Sequence, residues 1–120
     1  MAARLPLRWS LDRVECLAPG ERAVLEAIND RLVGGRSVAF APGGLREIAL
    51  RIPGIDPPAR FIFHLVALIR RGYLRLSVTQ AGWIRLEVGS CVPVPPSDEY
   101  QVTKMARGVL VREFQREPVA

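Results

Sequence analysis

A chain of 120 residues, 49% hydrophobic and 24% charged, has the makings of one folded domain with its own core, which excludes a disordered or fibrous protein. Its formal net charge of +5 rests on 16 Arg and a single Lys against 12 acids, and no apolar run nears the roughly 20 residues needed to span a bilayer. One histidine, two distant cysteines and no clustered carboxylates leave little material for catalysis or metal binding, so neither an enzyme nor a cofactor is expected.

From the start, Met1 to Ser10 lacks an uninterrupted apolar stretch, so the expected location is the cytoplasm, with Cys16 and Cys91 as free, partly buried thiols. Trp9 to Leu17 is a short helix candidate capped by Ser10, with Leu11, Val14 and Leu17 sharing a face. Pro19 opens the first strong helix, with Glu21 in its first turn and Val24, Leu25, Ile28 and Leu32 on one stripe. Gly34-Gly35 stops it. Ser37 to Phe40 is a short strand candidate, and Pro42-Gly43-Gly44 turns the chain into a second helix, Leu45 to Ile52, whose inward face is Leu45, Ile48, Ala49 and Ile52.

Pro53-Gly54 ends that helix, Asp56 stands where an N-cap belongs, and a third helix runs from Pro58 to Arg71 with Phe61, Leu65, Leu68 and Ile69 as its core stripe. Gly72 terminates it behind Arg70 and Arg71, whose charges complement the helix C-terminus. Two alternating runs, Tyr73 to Val78 and Trp83 to Val88, flank Thr79-Gln80-Ala81-Gly82 and predict a hairpin. Leu74, Leu76 and Val78 share one face of it, as do Ile84, Leu86 and Val88, while Arg75 and Arg85 point the other way, and Trp83 is expected to pack the hairpin on the body. Past a proline-rich connector, Ser97-Asp98-Glu99 starts a last helix reaching about Arg116, with Gly108 weakening its middle.

The fold expected is mainly α with a small β-hairpin: a winged helix-turn-helix plus a C-terminal helix. Its segments are an N-terminal extension (1–16), the winged domain (17–89), a connector (90–96), and the last helix and tail (97–120). Charge is unevenly spread along it. Between Arg31 and Leu86 nine arginines stand against two acids, whereas both flanks carry one more acid than base. Local charge governs steering and counterion release, so this middle segment is the expected polyanion-facing surface.

Leu17-Ala18-Pro19 and Val24-Leu25-Glu26-Ala27-Ile28, then Arg46 to Ile52, then His64-Leu65-Val66-Ala67-Leu68-Ile69-Arg70-Arg71-Gly72, and finally Gly82-Trp83-Ile84-Arg85-Leu86 appear in that order. Residues 17–89 thereby resemble the N-terminal DNA-binding domain of LexA-type repressors. The resemblance implies a transcriptional regulator, a repressor by type, whose groove-facing positions correspond to Pro57, Ala59, Arg60, Ile62 and Phe63. About thirty residues follow the wing, so the self-cleaving peptidase of that family is not expected.

Sequence-specific binding to double-stranded DNA is thus the expected function. Arg60 is the side chain suited to bidentate bonds with guanine, and Ala59, Ile62 or Phe63 to thymine methyls. Arg46 and Arg51 are expected on the phosphates, Arg75 and Arg85 on flanking phosphates or the minor groove, and Gln80 at the wing tip. His64 is read as structural. A homodimer is expected through Tyr100, Met105, Val109, Leu110 and Phe114, unless that helix folds onto its own core instead. The competing expectation is a protein-interaction module using Ile62, Phe63 and Val66, because three consecutive bulky apolar residues cannot all face one core.

Overall fold

A computed structural model of the chain describes residues 16–32, 36–55 and 58–115. The expected short helix falls largely on residues 9–15, outside the described residues, as do Gly34-Gly35 and Asp56-Pro57. The described elements are α1 (Pro19–Asn29), β1 (Ser37–Phe40), α2 (Gly44–Leu50), α3 (Ala59–Arg70), β2 (Leu74–Val78), β3 (Ile84–Val88) and α4 (Pro96–Gln115). The fold is mainly helical with a small antiparallel sheet.

Helical periodicity translates directly into burial. Val24, Leu25 and Ile28 of α1, Leu45 of α2 and Phe61, Leu65 and Leu68 of α3 are fully buried, each contributing about 1.5–3 kcal/mol by leaving water. Pro19 begins α1 as expected, and Glu21 Oε1 accepts a hydrogen bond from the Ala18 N–H at 3.3 Å, occupying a donor outside the helix ladder. His64 packs its ring on Gly20, where a β-carbon would collide with the imidazole; that contact sets the approach of α1 to α3. At the far end of α3, Arg71 reaches back to Glu21 at 3.1 Å.

The hairpin is part of a larger sheet than the sequence suggested. β1 joins it as a third strand in the order β1-β3-β2, with Phe40 opposite Ile84 and Val38 opposite Leu86. Leu74, Leu76, Ile84, Leu86 and Val88 face inward as the alternation requires. Val78 does not complete the stripe: beside the turn of the hairpin it is 50% exposed. Trp83 is 42% exposed and does not pin the hairpin to the body, since it shares strand parity with Arg85 rather than with Ile84.

The segment after the sheet is stitched to α3 rather than simply extended. Gly89 N–H donates to Tyr73 C=O at 2.9 Å, Cys91 N–H to Gly72 C=O at 2.9 Å and Val94 N–H to Arg70 C=O at 2.8 Å. The last of them occupies a carbonyl that the end of α3 leaves without a helical partner. They also require glycine at 72, whose φ of +82° is left-handed and whose β-carbon would strike the Val92 backbone. Cys91 is buried here, whereas Cys16 is exposed, and neither is in a disulfide.

Having turned, the chain runs back along α3 as α4. Ala106 and Leu110 enter the common core, and the Phe114 ring meets that of Phe61 at 5.7 Å between centroids. The last helix therefore belongs to the same core as the rest. Among the described residues no helix is long and apolar enough to cross a membrane.

Candidate nucleic-acid interface

The outward stripe of α3 is set by what covers its other sides. Phe61, Leu65 and Leu68 face the core, His64 and Arg71 meet α1, and Ile62 and Val66 turn towards α4. What remains is Ala59, Arg60 and Phe63, all exposed, with Phe63 at 67%. Of the three consecutive apolar residues, one stays outside. Ile62, only 8% exposed, is not available as a base-contacting side chain, and Val66 meets the surface only in the floor of the cleft beside α4.

The arginines divide into two groups. Arg46 is turned towards its own chain, its Nη2 donating to the Glu113 carbonyl at 3.2 Å and to that of Phe114 at 2.7 Å. Instead of lying over phosphates, it caps the C-terminus of α4, where the partial negative charge of the helix favours a guanidinium. Arg70 pairs with Glu99 at 3.4 Å and Arg71 with Glu21. Arg51 and Arg60, on either side of the turn joining α2 to α3, are exposed, as are Arg75 and Arg85 on the sheet.

Strand register refines the positions on the sheet. Arg75 lies opposite Glu87, and Arg85 lies opposite Ser77 on one side and Ala39 on the other. Arg75 and Arg85 are diagonal neighbours on the outer face rather than directly across from each other. Glu87, one residue past the basic segment counted in the sequence, thus places an acid beside Arg75. Gln80 is exposed in the turn, which is closed by the Gly82 N–H donating to Thr79 C=O at 2.9 Å. Pro57 lies outside the described residues.

Sequence reasoning missed Glu113, the residue that organises this region from a distance. Its carboxylate accepts bonds from the Gly43 N–H at 3.1 Å and the Leu45 N–H at 3.3 Å, so it caps the N-terminus of the short helix α2. A signal was present: Pro42-Gly43-Gly44 offers no Ser, Thr, Asp or Asn to cap a seven-residue helix, so the acceptor has to come from elsewhere. Of the dimer contacts expected on α4, Leu110 is fully buried, which removes it from any partner, and Phe114 is half-buried with its ring against Phe61. Tyr100 and Met105 are exposed and Val109 is half-buried.

Between α3 and α4 runs an apolar cleft of about 460 Å³, floored by Ile62, Val66 and Phe114 and bordered by Phe63, Arg70 and Arg107. Among the described residues no group of three or more His, Cys, Asp or Glu is placed to hold a metal. No family model, curated protein or solved structure matches the chain.

Proposed function

We propose that the protein is a winged helix-turn-helix that binds double-stranded DNA through the outward stripe of α3, with the β2–β3 hairpin as its wing, and that it acts as a transcriptional regulator of LexA-like design. The observation that carries this proposal is the exposure of Arg60 and Phe63 on the one side of α3 that the other described residues leave uncovered. An arginine in the first turn of such a helix has the geometry to bond guanine O6 and N7 together. The helix-strand-helix-helix-strand-strand order and the exposed Arg51, Arg75 and Arg85 support the same reading. Arg46 and Ile62 are not part of the proposed contact, and a dimer through Leu110 and Phe114 is not part of the proposal.

Selection from random duplex, followed by binding at two salt concentrations, tests it. Enrichment of one sequence and an affinity that falls steeply with salt are expected; no enrichment together with weak binding at low salt would overturn it. A second reading, a protein-interaction module, is favoured by one observation: Phe63 stands at the lip of an apolar cleft. In that case Phe63→Asp abolishes capture of the partner, and duplex binding is absent from the start.

A further inference from the structure

We infer that the outer face of α4 is a second DNA-contacting surface, one that holds the phosphate backbone beside the groove entered by α3. This rests on α3 being the helix that reads DNA. α4 runs antiparallel to α3, joined to it by Arg70 and Glu99 at one end and by the tilted ring contact of Phe61 and Phe114 at the other. The cleft between them is bordered by Ala59 and Phe63 from α3 and by Arg107, Val111 and Gln115 from α4. The outward stripes of the two helices therefore lie on the same side of the molecule.

Spacing dictates what α4 must meet there. Packed helices have axes about 8–10 Å apart, and a major groove is about 12 Å wide, so it admits one of the two. With α3 in the groove, its neighbour rests on the sugar-phosphate wall. At that place the sequence puts Arg107, with Lys104 on the crest of α4 and Arg112 on its flank towards the sheet, all exposed. The acids of α4 are elsewhere: Asp98 and Glu99 sit in its first turn, and Glu113 is buried against the N-terminus of α2. From Tyr100 to Gln115 every exposed charge is thus positive.

A helix face that merely meets water usually mixes signs, as Arg22 and Glu26 do on α1 with an i, i+4 pair at 3.2 Å. The outer face of α4 has no such pairing beyond Glu99. Its remaining exposed polar residues, Tyr100, Gln101 and Gln115, are hydrogen-bonding groups of the kind that accompany cations on phosphates.

The test compares the full chain with the triple variant Lys104→Gln, Arg107→Gln, Arg112→Gln, and with the single reversal Arg107→Glu, on the duplex selected by the wild type. All three positions are exposed, and far-UV circular dichroism checks that each variant keeps its helices. The expected result for the triple variant is at least a roughly tenfold loss of affinity at low salt, with the log-log salt slope smaller by about 2–3 and the preferred sequence unchanged. Arg107→Glu should weaken every duplex alike, while Arg22→Gln on α1 should change nothing. If the triple variant keeps the wild-type affinity and slope while Arg60→Ala loses the site, α4 faces only solvent and the inference is wrong, although the function stands. If the wild type shows no salt-dependent duplex binding, the functional proposal falls, and this one with it.

Discussion

Glu113 and Gly43, seventy residues apart in sequence, meet through a carboxylate that accepts the Gly43 N–H at 3.1 Å. The same turn of α4 receives Arg46 from α2 in return, so each helix caps an end of the other. This reciprocal cap keeps Arg46 from the surface and fixes α2 relative to the rest of the core.

Replacing Glu113 by Ala is expected to lower stability by about 2 kcal/mol, because the Gly43 and Leu45 N–H groups lose a charged acceptor in a site poor in water. Glu113→Gln, which keeps an acceptor oxygen, should lose less. Urea unfolding of the three proteins checks the order; equal midpoints would mean that the cap contributes nothing.

Leu110→Ala should cost about 2–5 kcal/mol, the range for emptying a buried leucine site. Since Leu110 is fully buried within its own chain, the loss should be the same at low and high protein concentration. A midpoint that rises with concentration in the wild type and not in the variant would instead make Leu110 a dimer contact.

Two glycine-to-alanine changes should move stability in opposite directions. At Gly72 the backbone is left-handed and the Val92 carbonyl blocks the β-carbon, so a loss above about 1 kcal/mol is expected. At Gly108, inside α4, a β-carbon meets nothing within 4 Å, and Ala should gain about 0.5–1 kcal/mol from helix propensity. Thermal melts distinguish the two signs directly.

On the proposed DNA surface, Arg60→Ala should reduce discrimination for the selected site by about 1–3 kcal/mol, whereas Arg75→Ala should weaken all duplexes alike. Glu87→Gln should tighten binding to any duplex, because it removes the acid opposite Arg75. Parallel titrations on selected and scrambled duplexes separate these effects; a uniform loss for Arg60→Ala would reassign it to the phosphates.

Apolar spacing made much of this legible in advance. Leu45, Ile48 and Ala49 occupy the inner side of α2, with Ile52 buried just past its end, and Phe61, Leu65, Leu68 and Ile69 that of α3, because helical period sets which residues share a face. Tertiary partners were harder to read. Nothing local in Arg46 says that two carbonyls near residue 114 will claim it, and nothing in Tyr100, Met105, Val109, Leu110 and Phe114 says which of them turn inward. Trp83 was legible and misjudged: counting in twos from Arg85 places it on the outer side of the sheet. The third strand was visible as a segment in Ser37 to Phe40, but its place beside β3 depends on pairing across more than forty residues.

The contact of Phe114 with Phe61 and the burial of Leu110 also bear on the order in which the molecule can be assembled. A nascent chain that has reached the end of β3 holds Ile62, Val66 and Phe61 without the surface that shields them, and only the last turns of α4 supply it. Closure across so long a stretch is slow compared with local helix formation, so a half-made or clipped chain is the form most exposed to self-association.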